Sequence, residues 1–158
     1  MAGACALTFF METNLSINLK RLENYNQETQ LQTSTWNRLV WMVDGNELIF
    51  IRSGVAFDTE KFTRGGWVLL FNQSFLTGFL ERYPDNYNSS LVATWALSHA
   101  IIPLTAALRT EMNDMAILLS HAQHKRQSEL YLQSYADLFL LNANHTYAKH
   151  PVHSINQN

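Results

Sequence analysis

A chain of 158 residues, 47% hydrophobic and 15% charged, holds enough apolar material for one buried core and too little charge for a disordered polymer. Its formal net charge of −2 excludes the broad positive field that would hold nucleic acid or an acidic membrane directly. Cys5 is the only cysteine, which excludes an internal disulfide and suits a reducing cytoplasm.

Along the chain, residues 1–13 read as a mobile leader, because the short apolar run Gly3 to Met11 lacks the positive residues that open a signal peptide. Asn24 to Thr35 is a polar connection. Trp36 to Val43 and Glu47 to Arg52 are β-rich runs joined at Asp44-Gly45-Asn46, where Asp-Gly supports the positive φ angles of a tight hairpin. Ser53-Gly54 marks a second turn, Val55 to Phe57 a short strand, and Gly65-Gly66 a third turn before the buried strand Trp67 to Phe71. Asn72-Gln73-Ser74 then offers capping side chains to a short helix that stops before Pro84.

From Asn86 to Leu108 no residue is charged, a length near the ~20 residues of a membrane helix. Seven polar side chains between Asn88 and Thr105, with Pro103 among them, point instead to two buried helices and no membrane span. Leu91, Trp95 and Ile102 recur at near-helical intervals, and Pro103 suits the first turn of the next helix. That helix is expected to about Ser120, with Leu104, Ala107, Leu108, Met112, Met115, Leu118 and Leu119 on its apolar side. After a polar link, His121 to Arg126, a last helix runs from about Gln127 to Asn144. Leu130, Tyr131, Ser134, Tyr135, Leu138, Phe139, Leu141 and Asn142 form its apolar sector, and residues 148–158 read as a flexible tail. The pattern predicts an α+β domain: a small, partly incomplete β-barrel or sandwich over residues 14–71, then an antiparallel helical hairpin within 72–147.

Chemistry is sparsely signalled. His121 and His124 stand one helical turn apart, and His145, His150 and His153 follow near the end, but no Cys or carboxylate pattern completes a zinc site. There is no G-x-S-x-G elbow, no phosphate-binding glycine loop, and no carboxylate pair among Asp44, Glu47, Asp58, Glu60 and Glu81 spaced for acid-base work. An enzyme is not expected, and no cofactor. Trp41, Phe50, Phe57 and Trp67 are the candidate lining of a pocket for a small apolar ligand, the alternative being that they fill a small core.

Four segments carry a family resemblance. Leu15 to Leu22, Arg38 to Gly45, Phe50 to Phe57 and above all Arg64 to Leu76, RGGWVLLFNQSFL, resemble in order the strands of the N-terminal sensing domain of AraC-type transcription regulators. Gly45 and Phe50 stand closer than in that family, as if a β-hairpin were missing. The resemblance implies a cupin-like barrel and a helical pair that supplies a dimer interface, here Leu108, Met112, Met115, Tyr131, Tyr135 and Leu138. It further implies a ligand-sensing and dimerisation domain, without a DNA-binding part of its own, that forms a homodimer or pairs with a full-length regulator. The reading from another class is a small cytoplasmic inhibitor or immunity-type protein that acts through protein-protein binding.

Overall fold

The computed structural model describes residues 16–58, 65–86 and 99–149. The leader, residues 87–98 of the uncharged stretch, and the end of the tail from residue 150 lie outside the described residues. Five strands form one antiparallel sheet: β1 (Ile17–Arg21), β2 (Asn37–Met42), β3 (Glu47–Ile51), β4 (Gly66–Phe71) and β5 (His99–Pro103), in the order β1-β4-β2-β3-β5. Four helices accompany them: α1 (Gln27–Gln32), α2 (Gln73–Arg82), α3 (Ala106–His124) and α4 (Glu129–Lys149).

β4 lies between β1 and β2 and is buried along its whole length, which explains why its sequence is apolar without alternation. Successive side chains still point to opposite faces, and the two faces have different covers. Trp67, Leu69 and Phe71 join Leu39 and Trp41 of β2, Leu48 and Phe50 of β3, and Ala100 and Ile102 of β5 in a large core under α2, α3 and α4. Val68 and Leu70 join Val40 and Ile51 on the other face, under Leu22, Tyr25 and the partly buried Trp36, Val55 and Phe57.

The sheet is open, not closed into a barrel: β1 and β5 each pair on one side only within the described residues. Residues 55–57 form no strand, so the material that would carry the sheet round is missing there. His99–Pro103 is a strand, not a helix end, and Pro103 is its last residue, where a missing N–H costs an edge strand nothing. The polar connection contains α1, begun by Asn26, whose Oδ1 accepts from the Thr29 amide at 2.9 Å. The Asp44-Gly45 hairpin forms, with Trp41 opposite Leu48, yet Gly45 needs no positive φ, because the connection is long enough to turn through a Gly45 N–H bond to the Met42 carbonyl.

The helices start where caps are available. Asn72 accepts from the Phe75 amide at 2.9 Å, and Thr105, not Pro103, caps α3 by accepting from Leu108. α3 ends at His124, four residues later than expected, and its carbonyls are closed by Arg126 and Gln127, which donate to Gln123 and Ala122. This is a Schellman ending with Arg126, not glycine, in the left-handed position at φ 53°.

Side chains fix the helices to the sheet. Asn113 of α3 accepts from Trp41 Nε1 and donates to the Val43 carbonyl, both at 2.9 Å, while Arg109 Nη1 donates to the Gly45 carbonyl. Further along, the Gln123 carboxamide accepts from the Leu19 amide at 2.6 Å and donates to the Leu19 carbonyl at 3.0 Å. It thereby satisfies the unpaired outer side of edge strand β1 as a neighbouring strand would.

Candidate functional site

α4 is apolar on more than one side. Leu132, Ala136, Phe139, Leu140, Ala143 and Tyr147 face the sheet and its neighbouring helices, with the Phe139 ring 5.4 Å from that of Trp41. Leu130, 71% exposed, Tyr131 and Leu138 face outward, and Ile117 and Leu118 of α3 are exposed as well. A helix with apolar residues all round belongs in an interior, so its outer side is the candidate interaction surface.

Within that outer side Tyr131 and Tyr135 sit one turn apart with ring centroids 5.5 Å from each other, edge to face. A hydrogen bond to Tyr131, with smaller contributions from lost hydration and from the charge of Tyr131, holds the Tyr135 phenol above its ordinary ionisation range. The Tyr135 phenol therefore stays neutral through the physiological range, and the two rings present polar tips on an apolar strip.

α4 is also tied to α2. Arg82 Nε and Nη2 donate to the two carboxylate oxygens of Asp137 at 3.0 and 2.7 Å, and Asp137 is buried while Arg82 keeps access to water. A ring ladder from Phe50 through Phe71, Phe75 and Phe79 to Tyr83 leads from the sheet to the same corner, with centroid spacings of 5.2 to 6.4 Å. The pair orients α4 and leaves its outer strip free of charge.

The structure distributes the residues singled out from the sequence. Tyr131 and Leu138 lie on the outer strip, Leu108 and Tyr135 are partly buried against the core, and Met112 and Met115, expected at a dimer interface, are instead sunk in the core. Trp41 and Trp67 are paired across β2 and β4 and share the helix-side core with Phe50, while Phe57 belongs to the cluster on the other face, stacked on Tyr25 at 5.7 Å. The four aromatics therefore do not border one common pocket. Ile117 joins Leu118, Leu130, Tyr131 and Leu138 as an exposed apolar group, and for those on α4 the sequence signal was a weak contrast between its two sides.

His121 and His124 are exposed on the last turn of α3 and His145 is exposed on α4. Among the described residues no three His, Cys, Asp or Glu side chains gather as metal ligands. No described helix is long and apolar enough to cross a membrane. The chain matches no family model, and neither a curated protein nor a solved structure shows significant similarity to it.

Proposed function

We propose that this chain is a ligand-sensing and dimerisation domain of the AraC regulator type, working in the cytoplasm, in which the outer strip of α4 packs against a second copy. The observation that carries the reading is the exposure of Leu130, Tyr131 and Leu138 on a helix whose other side is already filled by the core. Burying one such Leu is worth about 1.5 to 3 kcal/mol, so two strips meeting face to face have enough apolar surface to drive association. The outer strip carries no acid or base between Tyr131 and Leu141 apart from the inward Asp137, so two identical strips meet without like-charge repulsion. Two long helices after a β-rich half match the order that the resemblance implies, and a finer arrangement of these helices as an antiparallel hairpin belongs to the same reading.

The inhibitor reading calls for an apolar patch away from the last two helices. Outside α3 and α4 the exposed large apolar side chains among the described residues are Leu31 and Val43, on separate elements. The dimer reading is the better supported.

Sedimentation velocity on the wild type and on a Tyr131→Glu, Leu138→Glu double variant tests it. The wild type is expected as a dimer at micromolar concentration, and the variant as a folded monomer with an association constant lowered by at least about a hundredfold. A wild type that stays monomeric at high micromolar concentration ends the proposal.

A further inference from the structure

The face of the sheet opposite α3 and α4 holds a charge that the dimer reading does not use. Arg38 of β2 is 2% exposed, in a strand whose neighbours Leu39, Val40 and Trp41 are all apolar. Its Nη2 donates to the carbonyls of Arg52, at 2.8 Å, and Val55, and its guanidinium carbon lies 5.8 Å from the centre of the Phe57 ring. Nε is buried and has no hydrogen-bond partner, and Nη1 makes no bond to a described residue. Two carbonyl dipoles and a ring face hold the group in place without neutralising it, and a guanidinium cannot shed its proton to escape the cost of burial.

Arg38 forms one wall of a cavity of about 280 Å³, open on one side. Ser34 and Gln30 supply a hydroxyl and an amide, and Leu31, Val55 and Ala56 supply apolar wall. The loop is shaped to leave this space: Gly54 stands at φ 81°, its N–H donates to the Ser34 carbonyl, and nothing lies within 4 Å of where a side chain would begin. Leu31 is 78% exposed, the highest value among the large apolar side chains described, and it stands on this cavity.

We propose that the cavity binds a small organic monocarboxylate, its carboxylate on Arg38 and its short apolar body against Leu31, Val55 and Ala56. One cation takes one negative charge, and a largely apolar wall gives no return for the extra charges of a phosphate or polyacid. The volume is near the lower end of the ~300–1,000 Å³ usual for small-molecule sites, which limits the body to one ring or a short chain. This assignment rests on the sensing half of the function proposed above and is independent of the dimerising half, because the cavity and the α4 strip lie on opposite sides of the sheet.

Isothermal titration with benzoate and hexanoate, against benzamide, hexanamide and inorganic phosphate, tests it on the full chain. One of the two carboxylates is expected to bind once per chain with Kd below about 1 mM, at least about tenfold tighter than its amide and than phosphate. The Arg38 Nε resonance should move with the same saturation curve. Arg38→Met should abolish binding, and Ala56→Trp, which fills the cavity from its rim and leaves every Arg38 bond in place, should do so in a protein with wild-type circular dichroism. Sedimentation of the Ala56→Trp protein should be that of the wild type, which separates a failed ligand site from a failed dimer. Equal binding of acid and amide, preference for phosphate, retained binding in Ala56→Trp, or no saturable heat and no Nε shift with either carboxylate at about 10 mM would each overturn the assignment.

Discussion

Gly66 has no room for a methyl group: a Cβ there would stand 2.4 Å from Leu22 Cδ1 and 2.5 Å from the Trp41 carbonyl oxygen. The glycine pair before Trp67 thus has two different uses, since nothing lies within 4 Å of a Cβ at Gly65 and neither residue has positive φ. Sequence alone shows a flexible turn; the close approach of two backbones across β2 and β4 is a tertiary fact. Gly66→Ala is expected to cost at least about 1 to 3 kcal/mol in urea unfolding, against a change within about 0.5 kcal/mol for Gly65→Ala. The Arg82–Asp137 pair is similarly one-sided. Removing Arg82 leaves a buried carboxylate unpaired, a loss of about 3 to 5 kcal/mol, whereas removing Asp137 leaves an arginine that can turn to water. Arg82→Met should therefore destabilise more than Asp137→Ala, and the reverse order in denaturant midpoints would show that the pair does not hold α4 in place.

Elements were legible where a local pattern decides them. The Asp44-Gly45 hairpin, the Trp67 to Phe71 strand and the capped start at Asn72 all depend on neighbours in sequence, and all three are present. α1 escaped because it has no apolar period, its one large apolar residue, Leu31, being exposed. β5 escaped because a five-residue, mostly apolar run cannot be told from a helix segment by period alone, and because Pro103 suits a helix start as well as a strand end. In α4 the obstacle was different: with apolar residues on both sides, periodicity could not say that Phe139 turns inward and Leu138 outward. Arg38 was legible only as a polar break in an apolar run, and its cavity arises from a loop fourteen to eighteen positions downstream. The Gln123 bridge to β1 was invisible for the same reason, spanning 104 positions. Gln123→Leu would leave the outer amide and carbonyl of Leu19 unpaired, and a loss of about 1 to 3 kcal/mol is expected. A concentration-dependent rise in thioflavin fluorescence should accompany it, and a variant as stable and as soluble as wild type would remove the edge-guarding role.

At the scale of the whole molecule the sheet is a partition. Among the described residues three helices lie on one side of it, and α1, the turn at Leu22–Asn24 and the loop after β3 lie on the other. The sheet is open among the described residues, and the partition stands where a barrel would have offered a hollow interior. β2 is common to both compartments, sending Leu39 and Trp41 one way and Arg38 and Val40 the other. A slip of one residue would exchange those passengers, driving a guanidinium beneath the helices and an indole out among the loops. The strand is consequently barred from sliding as a means of carrying news from one side to the other. What ties the strand to the helix side is the Trp41 indole, held by Asn113 of α3.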